Sequence, residues 1–443
     1  MRKNNQPISG VFILVIIVYQ CLWHFALPFV LVRLWWKGRK EPGYREHILE
    51  RLGFYKVQTF TDAIWVHAVS VGETRASAPL IHALIARNQR ILLTHTTPTG
   101  RKTGANLFKS YIEKGVLKQC YLPYDFCWPI SRFLSQFKPS KGLLMETEVW
   151  PSILFFSRNK LPICLINGRL SLKSSLNFAK FGGLSKELFS LFEKILAQTQ
   201  RDAEHYALFG IQSCPVTGNL KFDVQLDPTQ IAFGQLWKKS LGSRQVVTLA
   251  SSREGEEEMV IQAWSKLQDT KPLLLIVPRH LSRLTEIEKF LDQRKITFTK
   301  RSLITPPTDL THDVLIGDTM GEMAGYLSMA DYVVMGGTLM GTGGQNLIEP
   351  ISLGKPVILG PSTYNFADIS QAAIESGIAI PLSKSTLPQI ENELLNVFQD
   401  FQDHPQKIEK MSLLCSGFAK HHQGATAKTL DYLNLPLMQI KGD

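Results

Sequence analysis

The sequence lacks several patterns that would identify a common class of site. Its six cysteines form no Cys-x-x-Cys pair, and no His/Cys group has the spacing of a zinc site. It has no Asp-x-Asp pair of the kind with which many transferases hold a cation on a diphosphate. The G-x-G-x-x-G dinucleotide fingerprint and the Lys-Ser/Thr ending of a P-loop are also absent. These absences disfavour a zinc domain, a nicotinamide-dependent oxidoreductase and a P-loop protein, and they favour chemistry without a metal.

Acidic residues are also in deficit. Lys and Arg number 49 against 38 Asp and Glu, so the formal net charge is +11. Such an excess favours anionic partners such as anionic lipids, phosphorylated substrates or nucleic acids. No recognisable module interleaves basic and aromatic residues, so nucleic acid is not expected as a partner. The 443 residues, 44% of them hydrophobic, are enough for two domains and a short extra segment.

The amino terminus has a long uncharged stretch. Between Lys3 and Arg33 the only titratable charge is that of His24, which is enough apolar chain to cross a bilayer. Trp35 and Trp36 follow where an aromatic belt would lie. More basic residues come after the stretch than before it: Arg33, Lys37, Arg39, Lys40 and Arg45 against Arg2 and Lys3. The positive-inside rule then predicts a single-pass anchor over residues 1–37, with the rest of the chain in the cytoplasm. A helix lying in the membrane interface and a cleaved signal peptide are the alternatives.

The rest of the chain alternates short apolar runs with amphipathic stretches, and this pattern restarts once. Continuous apolar strands between helices are typical of buried parallel sheet. One series of predicted strands runs from residues 63–68 to 214–217, and a second runs from 245–250 to 356–359. The polar stretch 223–245 lies between them. We therefore predict two doubly wound α/β domains, 38–226 and 227–443, facing a cleft.

Three places in the first domain could carry chemistry. Glu73 starts a helix just after a predicted strand. A carboxylate there could act as a general base, or it could stand there merely because the helix dipole stabilises a negative charge in the first turn. Glu146 and Glu148 directly follow another strand and are either catalytic or part of a solvated loop. Lys221 comes just past a further strand and could neutralise a phosphate or a carboxylate.

The second domain has features suited to binding an anion. Arg279 ends a strand, and arginine matches phosphate geometry with paired bonds. Residues 336–350 carry five glycines between a strand and a helix, and free backbone amides there would cradle an anion unless the loop is merely tight. Glu349 could accept hydrogen bonds from ribose hydroxyls.

Taken together, these motifs resemble the 3-deoxy-D-manno-octulosonic acid (Kdo) transferases of lipopolysaccharide synthesis. The resemblance extends from the anchor to about residue 370. It is carried by Trp65–Glu73, Glu146–Pro151, Asn167–Ser171, Gln198–Thr199, Thr217–Asp223, Pro278–His280, Asp318–Met323, Gly336–Pro350 and Gly360–Pro361.

The resemblance implies a GT-B glycosyltransferase with two Rossmann-like domains and an amino-terminal anchor in the bacterial inner membrane, its catalytic domains on the cytoplasmic side. It implies inverting transfer of Kdo from CMP-Kdo to a lipid A precursor (lipid IVA), with no metal or other cofactor. Glu73 would be the general base, and Glu148 and Lys221 would stabilise the transition state. The CMP site would comprise Pro278, Arg279, His280, Met320, Gly321, Glu322, Asn346, Leu347, Ile348 and Glu349.

The chain departs from the family pattern at three positions. Leu347 stands where a proline is expected, Arg253 where a histidine is expected, and Gly168 where an alanine is expected. None of these removes a candidate catalytic group. Another GT-B enzyme that uses a nucleotide diphosphate sugar, and a tethered binding protein that has lost activity, remain the rival functions.

Overall fold

The computed structural model describes residues 8–39, 41–56, 60–268, 270–304, 310–383 and 386–435. Arg2, Lys3 and Lys40, which contribute to the predicted membrane orientation, lie outside the described residues. The chain divides into two compact units. The first comprises Met1–Val224 and Gln423–Asp443, and the second comprises Gln225–His422.

The first unit contains a parallel sheet that has six strands within the described residues. They are β1 Ile64–His67, β2 Ile91–His95, β3 Leu117–Tyr121, β4 Lys141–Met145, β5 Ile163–Gly168 and β6 Lys194–Ala197. Their order, β3-β2-β1-β4-β5-β6, is that of a doubly wound Rossmann sheet. Most of their residues are buried, because helices cover the faces of such a sheet. The segment 214–217, predicted as a strand, makes only an isolated bridge from Val216 to Ala197.

Nine helices precede residue 225 in the described part of the chain. They are α1 Gly10–Lys37, α2 Val71–Ala86, α3 Pro98–Leu107, α4 Lys109–Glu113, α5 Cys127–Phe137, α6 Pro151–Ser157, α7 Leu172–Ala179, α8 Gly183–Ser190 and α9 Gln200–Ala207. Short 3₁₀ helices add Pro42–Arg45, Ile48–Leu52 and Leu220–Asp223. Helix α1 is long and apolar enough to cross a membrane, as the sequence predicts.

The second unit contains a second parallel sheet, with order β13-β12-β11-β7-β8-β10-β9 in the described residues. The strands are β7 Val246–Ser252, β8 Leu273–Pro278, β9 Phe298–Lys300, β10 Val314–Ile316, β11 Tyr332–Met335, β12 Val357–Leu359 and β13 Ala379–Pro381. The helices are α10 Pro228–Ser240, α11 Glu256–Ser265, α12 Leu284–Gln293, α13 Met323–Met329, α14 Ile348–Ser352, α15 Ala367–Glu375, α16 Leu387–Asp403 and α17 Pro405–His422. Two parallel-sheet α/β domains are thus confirmed.

The last helix, α18 Ala425–Leu433, does not stay with the second unit. Its buried side chains Leu430 and Leu433 join the core of the first sheet. The Asp223 carboxylate accepts hydrogen bonds from the amides of Gly424 and Thr426, at 2.7 and 2.5 Å. The predicted second domain of 227–443 therefore differs from the structure, in which the chain returns to the first unit after His422.

Candidate functional site

Glu73 lies in the first turn of α2, at the carboxyl end of β1. Its Oε2 accepts a hydrogen bond from the Val69 amide at 2.8 Å, and its Oε1 accepts one from the Ser70 hydroxyl at 3.3 Å. The carboxylate thus folds back over the turn that leads into its own helix. This position joins a strand end to a helix start, as the sequence predicts.

Two more carboxylates lie close to Glu73, after β4. Glu146 adopts a left-handed backbone conformation, with φ of 54°, which turns the chain sharply at the strand end. The pKa of Glu73 is raised to about 8, chiefly by burial, against the opposing bond from Val69 and with added repulsion from Glu146 and Glu148. The pKa of Glu148 is raised to about 7, first by burial, with repulsion from Glu146 also raising it. Burial and the nearby negative charges therefore oppose the ionisation of Glu73 and Glu148 near neutral pH.

Lys221 lies in the 3₁₀ helix after the β6 region, and its Nζ is 2.9 Å from Glu146 Oε1. The sequence suggested a lysine that could neutralise a substrate anion, but the structure pairs it with a neighbouring acid. Asn167 positions this 3₁₀ helix, because its side-chain oxygen accepts a bond from the Leu220 amide at 3.0 Å. The structure therefore brings Glu73, Glu148 and Lys221 into one cluster with Glu146.

His67 and Trp150 also contact this cluster, although no local pattern marked either of them as functional. The Trp150 indole donates a hydrogen bond to Glu148 Oε2 at 2.7 Å. The His67 ring is fully buried at the end of β1, and burial lowers its pKa to about 3, so it is neutral. Its Nδ1 lies 2.9 Å from Thr94 Oγ1, and its Nε2 lies 3.8 Å from Glu148 Oε2. The sequence held one signal that could have identified them as functional: His67 lies in the motif Trp65–Glu73, and Trp150 lies in the motif Glu146–Pro151.

In the second unit, the carboxyl ends of neighbouring strands carry the predicted donor residues. Arg279 and His280 follow β8 and are exposed. His280 Nε2 lies 3.3 Å from Nη1 of Arg253, so the arginine that replaces the expected histidine is placed beside this motif. Pro278 is the buried last residue of β8.

The segment before α13 is held by an ion pair. Glu322 meets the Arg301 guanidinium through two contacts, 3.0 Å from Nε to Oε2 and 3.1 Å from Nη2 to Oε1. Thr319 donates a further bond to Glu322 at 2.5 Å. Gly321 has φ of 85°, a conformation that suits glycine, and the Met320 side chain is exposed. The sequence did not single out Arg301, which lies far from Glu322 in the chain.

The glycine-rich loop binds an acid of its own chain through part of its backbone. Three of its backbone amides, those of Gly337, Leu339 and Met340, donate to the carboxylate of Glu256 at 2.7 to 3.3 Å. The Gly344 amide donates to Gly337 O. The three amides bonded to Glu256 are therefore not free to bind a substrate anion, because a buried acid of the same chain already occupies them. The following helix, α14, has only five residues.

Glu256 is the first residue of α11 and is fully buried. Its Oε2 also accepts the Arg253 amide at 2.8 Å, so one carboxylate joins the end of β7 to the glycine-rich loop after β11. The sequence shows three successive acids at this helix start, but nothing in it distinguishes the acid that binds the loop from its neighbours.

The end of the glycine-rich loop keeps its predicted polar groups together. The Asn346 side chain donates to Glu349 Oε1 at 3.0 Å and accepts from the Ile348 amide at 3.2 Å. Leu347 and Ile348 are buried, whereas Asn346 and Glu349 are half-buried. One oxygen of Glu349 thus has a protein donor, and its carboxylate still reaches the surface.

Comparisons with known proteins agree with these features. The family model of the 3-deoxy-D-manno-octulosonic-acid transferases (kdotransferases) matches residues 46–224. A 3-deoxy-D-manno-octulosonic acid transferase from Bordetella pertussis is 38% identical over 426 residues, which cover 94% of this chain and 98% of that relative.

Two solved structures show the same fold. A UDP-GlcNAc 2-epimerase from Neisseria meningitidis aligns with a TM-score of 0.57 and 16% identity, over 84% of this chain and 99% of that one. A glycosyltransferase from Rickettsia africae aligns with a TM-score of 0.54 and 11% identity, over 85% of this chain and 98% of that one. At such identities the likeness supports the GT-B fold alone. The similarity to the Bordetella relative establishes the family: this chain belongs to the 3-deoxy-D-manno-octulosonic acid transferases, the glycosyltransferases that act in lipopolysaccharide biosynthesis.

Proposed function

We propose that this protein transfers Kdo from CMP-Kdo to a lipid A precursor, lipid IVA, with inversion and without a metal. The transfer takes place at the cytoplasmic face of the bacterial inner membrane, to which residues 1–37 attach the protein. The observation that carries this proposal is the placement of Glu73 among Glu146, Glu148 and Lys221. A carboxylate whose pKa is raised to about 8 is a far stronger base than an ordinary glutamate.

In the proposed reaction, Glu73 takes the proton of an acceptor hydroxyl. The acceptor oxygen then forms a bond to the anomeric carbon of Kdo while the bond from that carbon to the CMP phosphate breaks, and the electron pair leaves with CMP. Attack opposite to the leaving phosphate inverts the configuration. Each proton and electron pair is thereby accounted for without a further reactant.

The developing charge needs stabilisation on both substrates. Lys221 supplies a positive charge beside the three acids, and its pairing with Glu146 holds the ammonium in place. Glu148, with a pKa of about 7, is partly protonated at neutral pH and can offer a proton where an ordinary glutamate could not. In the second unit, Arg279 and His280 are the exposed groups proposed to meet the CMP phosphate, and Glu349 is proposed to accept from the ribose.

The absence of a metal is proposed on chemical grounds. The sequence has no Asp-x-Asp pair, and the residues assigned to the donor include an arginine that can bind a phosphate directly. Adding a strong chelator to the purified enzyme is therefore expected to leave the transfer rate unchanged. A lost rate that returns on adding a divalent cation would contradict this part of the proposal.

Substitution of the base tests the core of the mechanism. Glu73→Gln removes the proton acceptor but keeps the size of the side chain, so we expect transfer to fall by at least about 10³-fold while CMP still binds. Transfer is measured by mass spectrometry of a tetra-acylated lipid A precursor incubated with CMP-Kdo. CMP binding is measured by the shift in melting temperature, with UDP as the comparison nucleotide.

Glu113→Gln is the matched control, because that glutamate lies exposed on α4, away from the cluster. It should transfer at the unmodified rate. Full activity of Glu73→Gln would remove Glu73 from the role of base, and a melting shift with UDP but not CMP would favour a different nucleotide sugar.

A further inference from the structure

Helix α1 packs lengthwise against the first unit along one narrow stripe. The buried and half-buried side chains of the helix recur every three or four residues along nearly its whole length: Phe12, Ile16, Tyr19, Gln20, Trp23, Ala26, Leu27, Val30, Leu31 and Leu34. Residues at that spacing share one face of a helix. At about 1.5 Å per residue, the stripe from Phe12 to Leu34 is about 33 Å long, which is the thickness of a hydrocarbon core.

Polar side chains fix the docking of this apolar helix. Gln20 donates to the Ser152 hydroxyl at 2.6 Å and accepts from the Cys127 amide at 2.7 Å. The Tyr19 hydroxyl donates to Asp125 at 3.0 Å. Asp125 is fully buried and also accepts from the amides of the first turn of α6. Helix α1 therefore shares two polar groups, Asp125 and Ser152, with the amino-terminal end of α6.

Aromatic and apolar packing extends the docked face in both directions from these bonds. The Trp23 ring stacks on Tyr124 and Phe126, with centroids 5.6 and 5.8 Å apart. Nearer the amino terminus, Phe12 packs on Phe155 at 6.2 Å. The helix is a packed element of the domain along this length.

Charged groups flank the docked helix near its amino-terminal end. The backbone amide of Ser9 donates to the Glu187 carboxylate at 3.0 Å. The Arg158 guanidinium lies over the Phe155 ring at 3.9 Å. If α1 crossed the bilayer while docked, these charges would be drawn into hydrocarbon together with the flanking α6 and α8, at a large cost in free energy.

The remaining faces of α1 are apolar and exposed. They carry Val11, Leu14, Val15, Val18, Leu22, Phe25, Phe29 and Val32. At the carboxyl end, the guanidinium groups of Arg39 and Arg45 lie over the Trp35 ring, at 4.8 and 4.7 Å. Tryptophan beside arginine is typical of the boundary between acyl chains and anionic head groups.

We infer that α1 lies in the plane of one membrane leaflet, with one face docked on the first unit and its exposed apolar face in the acyl-chain boundary of an anionic bilayer. The helix then holds the protein on the cytoplasmic surface without crossing, and the amino terminus stays on the same side as both units. This arrangement is the interfacial alternative left open by the sequence, and it replaces the single-pass anchor. It does not depend on the proposed chemistry of the cluster.

Depth measurements on the full chain test this inference. Single cysteines replace Val11, Val18 or Phe29, in a background where Cys21, Cys127 and Cys214 are serine, and each carries a spin label. The protein is reconstituted in vesicles of phosphatidylethanolamine and phosphatidylglycerol, and depth is measured from collisions with oxygen and with a water-soluble nickel complex. We expect three similar, shallow depths, because an in-plane helix keeps all its turns at one level. A label at Val18 much deeper than those at Val11 and Phe29 would show a crossing helix and overturn the inference.

Two further experiments address topology and docking. An epitope tag at the amino terminus should resist protease added outside spheroplasts, whereas its cleavage there would place the terminus across the membrane and refute the inference. Gln20→Leu should lower the melting temperature of the detergent-solubilised protein by several degrees, and Cys21→Ser, at the exposed neighbouring position, should not. An unchanged melting temperature in Gln20→Leu would show that α1 is not docked. None of these readouts requires transfer, so they separate this inference from the proposed function.

Discussion

At the scale of single residues, the cluster in the first unit is dominated by like charges. Glu73, Glu146 and Glu148 repel one another, and burial adds to the cost of ionising Glu73 and Glu148. Lys221 relieves this at Glu146, from which its Nζ is 2.9 Å away. Glu73 and Glu148 are the two acids of the cluster whose pKa is raised. The pKa of Glu73 is the higher of the two, which suits a group that must take up a proton.

The pKa of Glu73 predicts the pH dependence of transfer. A base works only when ionised, and the ionised fraction of a group with a pKa of about 8 rises as the pH rises through that value. With saturating substrates, kcat should therefore climb by roughly tenfold per pH unit below about pH 8 and level off above it. A kcat that stays constant from pH 6 to pH 9 would contradict this assignment.

Glu148→Gln provides an internal check on that profile. Removing the negative charge of Glu148 removes repulsion that raises the pKa of Glu73. The inflection of kcat should then move to lower pH, whatever the absolute rate of the variant. An inflection that stays in place would show that another group controls the titration.

Lys221 offers a second test among single residues. In Lys221→Met the Glu146 carboxylate loses its partner and the cluster loses its positive charge, so we expect kcat to fall by about 10²-fold or more. Lys221→Arg keeps the charge and should retain part of the rate. Lys114→Met, at an exposed lysine after α4, is the control and should change nothing. Undiminished transfer by Lys221→Met would confine this lysine to a structural role.

At the scale of secondary-structure elements, the second unit is organised around one buried acid. Glu256 at the start of α11 accepts amides from the glycine-rich loop and from Arg253. Buried backbone donors must be satisfied, and a carboxylate with two oxygens can satisfy several at once. Three amides of the loop that was predicted to cradle a substrate anion are thereby bonded to an internal anion.

Glu256→Gln tests this arrangement. A glutamine amide nitrogen would point a donor at backbone donors, so we expect a loss of about 2–4 kcal/mol in stability and weaker binding of CMP. Thermal melting with and without CMP measures both effects. Glu258→Gln, on the exposed side of the same turn, is the matched control. A variant that melts and binds CMP like the unmodified protein would show that Glu256 does not hold the loop.

At the scale of the whole molecule, the order of the chain and the order of the units differ. Helix α18 follows the second unit in sequence but packs in the first, where Asp223 binds its amino-terminal end. The first unit is thus complete only after the last helix has been added. Its stability depends on residues that follow its 3₁₀ helix Leu220–Asp223 only after the whole second unit.

Leu430→Ala should reveal this dependence. The leucine is 4% exposed, and truncating such a side chain leaves a cavity that costs about 2–5 kcal/mol. Hydrogen exchange should then become faster in β1 to β4 and stay unchanged in β7 and β8. Asp431→Ala, an exposed neighbour, should leave exchange unaltered. Faster exchange only in the second unit would contradict the placement of α18.

Much of the architecture was predictable from the chain because its signals are local. Apolar runs such as Leu273–Pro278 predict strands buried on both faces, and the restart of the pattern after residue 245 predicts a second sheet. The short strands Phe298–Lys300 and Ala379–Pro381 were not predicted, because three residues carry too little pattern to be recognised. Strand ends also marked Glu73, Glu148 and Lys221, since parallel strands bring their carboxyl ends to one edge.

The sequence by itself determined two parallel-sheet domains, an apolar amino-terminal helix and the acids at the strand ends, because hydrophobic periodicity and turn residues act over a few positions. Only the tertiary structure decided which acid Lys221 neutralises, that Glu256 fills the glycine-rich loop, and that α18 returns to the first unit. It also decided that α1 docks along one face. These outcomes depend on groups far apart in the chain competing for the same buried hydrogen bonds and charges, and no local pattern records which of them meet.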